Sequence, residues 1–349
     1  MPRYFFVLPD MERPVGGINV ALRCVDILAK SGYEAAALYS RSDYTYRFFD
    51  THHAPYFYPP LADSAYRLMS RKRRLLERWR TMTQPRRTGV NLPLNMRPDD
   101  VFVIPEFMYP EYCALFPDNR RILLAQDVFG FCGAFRRDLA AGTRLIDDFE
   151  AICTTSQASH TAVEQFSKRQ SYLIPQAVSR PTLDATSKKK LQIAYMPRKR
   201  KEEIEIILGC LKDNPAFAGW DFIKIDGVSP EKLDHTLSES LIFLSFSHQE
   251  GFGLPPAEAM AAGCIVIGYT GVGGEEFFRP EFGLPIQDGD IASFVATLEA
   301  TVTEYVHDPA RLDQIRKSAS ESIHARYNLE AMRQDLLTAW ASIDKKMSV

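Results

Sequence analysis

The sequence predicts an α/β chain built from two doubly wound parallel sheets, and three observations carry that expectation. Short apolar runs alternate along the chain with helical periodicities, which is the rhythm of βαβ units. The series halts at a polar, breaker-rich stretch, Pro181 to Lys190 (PTLDATSKKK), and resumes at Leu191. The stretch from Ser245 to Gly274 then packs a strand end, a glycine turn, a proline-started helix and a second strand into thirty residues. Domains at 1–178 and 179–328 follow from this, with a last helical segment at 329–349.

In the first domain, Tyr4 to Leu8 reads as a buried strand, Pro9 to Gly17 as a loop, and the spacing of Val20, Ala21, Cys24, Val25 and Leu28 as a helix ending near Gly32. A strand at Glu34 to Tyr39 completes a βαβ unit. Gly16 and Gly17 at the helix start bring bare amides to a diphosphate, or serve only as a loop needing positive φ. G-x-G-x-x-G is missing, which disfavours a dinucleotide site. Val101 to Ile104, Arg121 to Ala125, Ala151 to Thr154 and Ser171 to Ile174 read as further strands. Three of them deliver a polar residue at the carboxyl end, where parallel sheets bind ligands: Glu106, the pair Gln126-Asp127, and Ser156.

The second domain opens with a strand at Leu191 to Met196 that runs into Pro197 and the cations Arg198, Lys199, Arg200 and Lys201. Four cations at a helix start oppose the helix dipole, so an anion is expected there. Strands at Phe222 to Ile225, Leu241 to Ser245 and Ile265 to Ile267 follow, with a helix start at Ser229-Pro230-Glu231. Asp290 to Val306, Pro309 to Ala325 and Leu329 to Lys345 read as three helices.

Within the central stretch, Gly251 and Gly253 permit a tight turn, Pro255 and Pro256 suit the first turn of a helix, and Gly263 ends it. The helix N-terminus, with free amides and a positive dipole end, faces the carboxyl edge of the sheet, where a phosphate would sit. Glu250 and Glu258 bracket that pocket with seven residues between them, and suit sugar or ribose hydroxyls better than the phosphate itself.

Composition sets the outer limits. A chain of 349 residues with 46% hydrophobic content supports two cores. A formal charge of -2 gives no global reason to expect nucleic acid as a partner. The six cysteines are scattered without a C-x-x-C pair, as in reduced, cytoplasmic proteins. The apolar run in MPRYFFVLPD is too short for a signal peptide, and no later segment approaches a membrane span. Arg67 to Arg87 is the outlier, nine cations against Glu77 alone, with Leu68, Leu75, Leu76 and Trp79 on one helical stripe. Such a segment suits anionic lipid headgroups at the inner face of a membrane or a lipid-diphosphate acceptor, or else a solvated helix packed by its apolar stripe.

The run Glu250-Gly-Phe-Gly-Leu-Pro-Pro-Ala-Glu258, followed by Ala-Met-Ala-Ala-Gly, resembles the E-x7-E signature of retaining, family 4 (group 1) glycosyltransferases of the GT-B fold. The resemblance implies two Rossmann-like domains facing a central cleft, the first holding an acceptor, the second a nucleotide-sugar, and a C-terminal helix crossing back to the first. It implies that Glu250 contacts the donor sugar, that the backbone of Phe252, Gly253 and Leu254 faces sugar and diphosphate, and that Glu258 holds the ribose. It also places Gly16, Gly17, Arg198 and Lys201 on the diphosphate, with Lys199 or Arg200 able to substitute. Gln126 and Asp127 lie where many members carry a histidine-aspartate pair facing the scissile bond; the histidine is absent here. The partners implied are a nucleotide-sugar donor and a saccharide or lipid-linked saccharide acceptor of bacterial type, with the nucleotide-sugar as co-substrate, no other cofactor and no metal. Rival expectations are an epimerase or phosphorylase on the same scaffold, or a non-catalytic nucleotide-sugar-binding protein.

Overall fold

Strands whose every residue is apolar can be buried on both faces, and the first strand of the chain is nearly so. The computed structural model describes residues 2–62, 91–178 and 189–347. In it β1 (Arg3–Val7) lies in the middle of an all-parallel sheet whose other strands are β2 (Glu34–Tyr39), β3 (Tyr56–Phe57), β4 (Leu92–Pro93), β5 (Val101–Pro105), β6 (Arg120–Ala125), β7 (Ala151–Thr154) and β8 (Tyr172–Leu173). The strand order is β4-β3-β2-β1-β5-β6-β7-β8. The chain therefore walks outward from β1 in one direction, returns, and walks outward from β5 in the other. The reversal between β1 and β5 leaves a crevice at their carboxyl ends. Helices α1 (Gly16–Lys30), α2 (Tyr109–Cys113), α3 (Val128–Ala140) and α4 (Gln157–Ser167) supply the crossovers among the described residues. The stripe of α1 read from the sequence, Val20, Ala21, Cys24, Val25 and Leu28, is the face that α1 buries.

The second sheet is also parallel throughout: β9 (Lys190–Tyr195), β10 (Asp221–Lys224), β11 (Ser240–Phe246), β12 (Ile265–Tyr269) and β13 (Leu284–Ile286), in the order β10-β9-β11-β12-β13. All seven residues of β11 are buried. Phe243 joins the core on one face of the sheet, and Ile242, Leu244 and Phe246 join that on the other. Burying such a side chain stabilises by about 1.5–3 kcal/mol, which explains why the strand reads as an unbroken apolar run. Helices α5 (Lys201–Leu211), α6 (Pro230–Glu239), α7 (Leu254–Ala261), α8 (Ile291–His307) and α9 (Ala310–Arg326) accompany it, and α10 (Leu329–Met347) follows. Ser229 caps α6 by accepting from Lys232 N, and Asp290 caps α8 by accepting from Ser293 N.

Contacts divide the chain into one unit of Met1–Thr155, Ser159–Ile174 and Arg333–Val349, and another of Ser156–Ala158 and Pro175–Met332. The sequence places its limits at 178 and 328. Helix α10 starts in the second unit and from Arg333 onward counts with the first. There Trp340 packs edge-on against Tyr4 and stacks on Phe6, with ring centroids 5.5 and 5.9 Å away. The Tyr4 hydroxyl also donates to Asp344. The expected linker lies largely, and the basic segment Arg67 to Arg87 wholly, outside the described residues. Among the described residues no helix is long and apolar enough to cross a membrane.

Candidate functional site

In the second sheet the order reverses between β9 and β11, so the loops leaving these strands meet at the carboxyl edge. They are the two segments singled out in the sequence. Met196, Arg198 and Lys199 after β9, and Ser247 and Glu250 after β11, line one pocket with Pro255 and Pro256 of the first turn of α7. Gly253 takes the left-handed conformation (φ 92°) that turns the chain into α7.

Glu250 is held by the β9 loop. Its Oε1 stands 3.0 Å from Lys199 Nζ and 3.4 Å from Arg198 Nη2, and its side chain is 13% exposed. Lys199 Nζ also donates to the carbonyl of His248, which ties it to the same turn. Arg200 points elsewhere. Its backbone is left-handed (φ 55°), and its guanidinium pairs with Glu203 and Asp288 and lies 4.8 Å from the centre of the Tyr269 ring. Lys201, the first residue of α5, is exposed. The loop thus sends Arg198 and Lys199 toward Glu250, sends Arg200 toward β12 and the His248 ring, 2.8 Å from its Nδ1, and leaves Lys201 on the surface. Gln249, just before Glu250, is left-handed as well (φ 48°). Each such residue costs about 1–2 kcal/mol, and two of them in the loops that meet at one pocket mark a geometry the surroundings enforce.

A second backbone segment closes on this turn. Gly273 N donates to Glu250 O at 3.0 Å, and a Cβ on Gly273 would stand 2.1 Å from Gly251 O and 2.4 Å from Phe252 N. Only glycine permits that approach. The Phe252 side chain is buried between Phe277 and Tyr327, with ring centroids 5.0 and 5.1 Å away, so this residue offers a ligand its backbone rather than its ring. Leu254 is the first residue of α7 and Glu258 a half-buried residue within it. The tripeptide Asp288-Gly289-Asp290 has the D-x-D pattern that often holds a metal, yet Asp288 pairs with Arg200 and Asp290 caps α8.

The carboxyl edge of the first sheet carries a second cluster. The loop before Gly16 is pinned by two buried tyrosines: the Tyr44 hydroxyl accepts from Met11 N at 2.8 Å and that of Tyr46 accepts from Val15 N at 2.8 Å. Gln126 Nε2 donates to Gly17 O at 3.1 Å, joining the β6 end to the α1 start. Asp127 caps α3, accepting from Gly130 N at 2.6 Å. Glu106 lies beneath both, 4% exposed, its Oε2 accepting from Gln126 N. Burial pushes its carboxyl up to about 8. A Cβ on Gly130 would stand 3.2 Å from Glu106 Oε1 and 3.3 Å from Asp127 Oδ2, so the two carboxyl groups flank the same glycine. Sequence reasoning placed Glu106 at a strand end and gave it no role; the signal for one is the G-F-C-G run of α3, whose first glycine leaves it room.

Comparison with known proteins bears on both halves. The family described as Glycosyl transferases group 1 matches residues 221–321. An alpha-1,6-glucosyltransferase of Actinobacillus pleuropneumoniae serotype 7 (strain AP76) is 27% identical over 160 residues, 44% of this chain and 47% of that protein. The match thus spans about half the length of the curated relative. Among solved structures, sucrose-phosphate synthase from Thermosynechococcus elongatus superposes with a TM-score of 0.64 at 15% identity, covering 99% of this chain and 100% of that one. TarM gives 0.63 at 11%, covering 98% of each, and Anabaena HepE with UDP and glucose gives 0.61 at 13%, covering 98% and 100%. The domain match and the curated relative are both to glycosyltransferases. Residues 221–321, which include the Glu250–Glu258 turn, match the glycosyl transferases group 1 family, and the chain has the GT-B fold.

Proposed function

We propose that the chain transfers a sugar from a nucleotide-sugar to a hydroxyl of a saccharide or lipid-linked saccharide, in bacterial polysaccharide or glycoconjugate synthesis. The observation that carries this reading is the convergence of Arg198, Lys199, Glu250 and the α7 N-terminus at the reversal point of the second sheet. In the reaction the bond from the sugar's anomeric carbon to the diphosphate breaks, the acceptor oxygen bonds that carbon, and the acceptor proton leaves with the diphosphate. Arg198, Lys199 and the helix dipole stabilise the charge that develops on the leaving group, which requires no metal. Glu250 accepts from a sugar hydroxyl and Glu258 from the ribose. With no enzymatic nucleophile assigned, attack on the face the diphosphate leaves gives retention of configuration.

A solved structure of Anabaena HepE holds UDP-glucose, which makes that donor the first to try. Thermal stability of the purified chain with UDP, GDP, dTDP, ADP and CMP tests the reading: one diphosphate at a hundred times its Kd stabilises by about 2.7 kcal/mol. Absence of any shift across the panel overturns it. The proposal extends to an anionic membrane surface as the place of work, resting on the composition of Arg67 to Arg87. Liposome binding that is unchanged after replacing Arg71, Lys72, Arg73 and Arg74 would remove that part.

A further inference from the structure

Glu250 is an anion inside a pocket read as holding an anionic ligand. Its Oε1 is within 3.0 Å of Lys199 Nζ and 3.4 Å of Arg198 Nη2, and these two are the cationic residues that line the pocket. Arg200 cannot stand in for them, because its guanidinium is committed to Glu203, Asp288 and the Tyr269 ring. A diphosphate entering the pocket therefore seeks nitrogen atoms that a carboxylate already holds. Two positive charges then face Glu250 together with at least two negative charges on the ligand, in a site where the carboxylate is 13% exposed and weakly screened. The conflict is relieved when a hydroxyl donates to the carboxylate that the cations have left. A sugar-linked diphosphate brings such a hydroxyl on its sugar; a bare nucleoside diphosphate has only its ribose hydroxyls, which the donor-site reading gives to Glu258.

We propose, resting on the donor-site reading above, that Glu250 is a competing anion that makes the pocket prefer the sugar-linked donor over the spent nucleoside diphosphate. Before transfer the carboxylate is engaged by the sugar and the cations by the diphosphate. After transfer the sugar is gone, Glu250 returns to Lys199 and Arg198, and the ion pair displaces the leaving diphosphate. Glu250 thus acts on product release as well as on the sugar. This reverses the sign that a simple ligand contact would give: removing its charge tightens the grip on the product. Lys199 carries most of the effect, since its side chain is 32% exposed against 68% for Arg198.

Titration calorimetry on the full chain tests this with three probes: UDP, UDP-glucose and inorganic pyrophosphate, the last being indifferent to the base. Glu250→Gln keeps the shape and removes the charge. It is expected to bind UDP and pyrophosphate about 3- to 10-fold tighter than the parent chain, the size of one charge-assisted contact regained. UDP-glucose gains nothing, so the parent's preference for it over UDP shrinks by the same factor. In the Lys199→Ala background the gain from Glu250→Gln largely disappears, because the contested cation is missing. Unchanged or weaker UDP and pyrophosphate binding by Glu250→Gln, in a chain whose parent binds UDP, overturns the competition and leaves the donor site standing. A parent chain that binds neither pyrophosphate nor any of UDP, GDP, dTDP and ADP overturns the donor site and this inference together.

Discussion

Replacing Glu106 by glutamine should stabilise the first unit, and by an amount that grows with pH. The carboxyl has an ordinary value of 4.5 in the unfolded chain and about 8 in the fold, where burial is the largest cause and Asp127 adds to it. Between those values the unfolded chain has released the proton and the folded chain keeps it. Stability contributed by this group therefore falls as pH rises through that window and levels off above about 8. The full difference corresponds to about 5 kcal/mol, of which about 1 is already lost at pH 5.5 and nearly all at pH 8.5. Glutamine retains an acceptor for Gln126 N–H and has no proton to lose. The gap between variant and parent should thus widen by about 3 kcal/mol from pH 5.5 to 8.5. Urea unfolding in a Trp79→Phe/Trp220→Phe background, in which Trp340 reports on the first unit, measures it. Parallel stability curves across that range would refute the assignment of a buried, proton-bearing carboxyl at this strand end.

Other outcomes follow from the second unit. Gly273→Ala puts a methyl group 2.1 Å from a backbone oxygen, so the Gly251–Gly253 turn must open; nucleotide-induced thermal shifts should vanish while Trp340 fluorescence of the first unit is unchanged. Glu258→Ala should weaken nucleotide binding by about 1–3 kcal/mol if it leaves the ribose hydroxyls unpaired, and calorimetry with UDP and UDP-glucose should show the same loss for both. Glu250→Ala, in contrast, should abolish transfer; equal effects of the two alanine changes on UDP affinity and on transfer would undo the division of labour between them. Transfer in the presence of EDTA should match transfer without it, and a loss restored by added Mg²⁺ or Mn²⁺ would reject the metal-independent proposal.

The fold was legible because the central parallel strands, β1, β2, β5, β6, β7, β11 and β12, are almost wholly buried and so write themselves as apolar runs between breakers. Glu34–Tyr39 and Ala151–Thr154 come out as read, and the others shift by a residue or two at their ends. The strands that escape notice are short ones at the margins. Tyr56–Phe57, Leu92–Pro93 and Leu284–Ile286 pair over two or three residues and are nowhere fully buried, so no hydrophobic pattern is imposed on them. At the site, the glycine turn and its two glutamates are local and visible. Which cation meets Glu250 is not, because the choice turns on one left-handed residue, Arg200, held by Tyr269 and Asp288 from far along the chain. Glu106 escapes for the same reason: the room for its carboxyl depends on Gly130 of α3, a relation that spacing does not carry.

The return of α10 to the first unit sets an order of events during synthesis. The chain makes β1 first, yet the ring that packs on Tyr4 and Phe6 belongs to Trp340. At about 5–20 residues per second, a ribosome needs on the order of 10–30 s after Ile174 to reach Arg333. For that interval the nascent first unit is an unfinished sheet with two aromatic side chains lacking their partner, while the second unit is made in one nearly uninterrupted stretch, Pro175 to Met332. The domain that begins the sequence is thus completed last, and a chain stalled or cut before Trp340 is left with the exposed apolar surface that chaperones and proteases recognise.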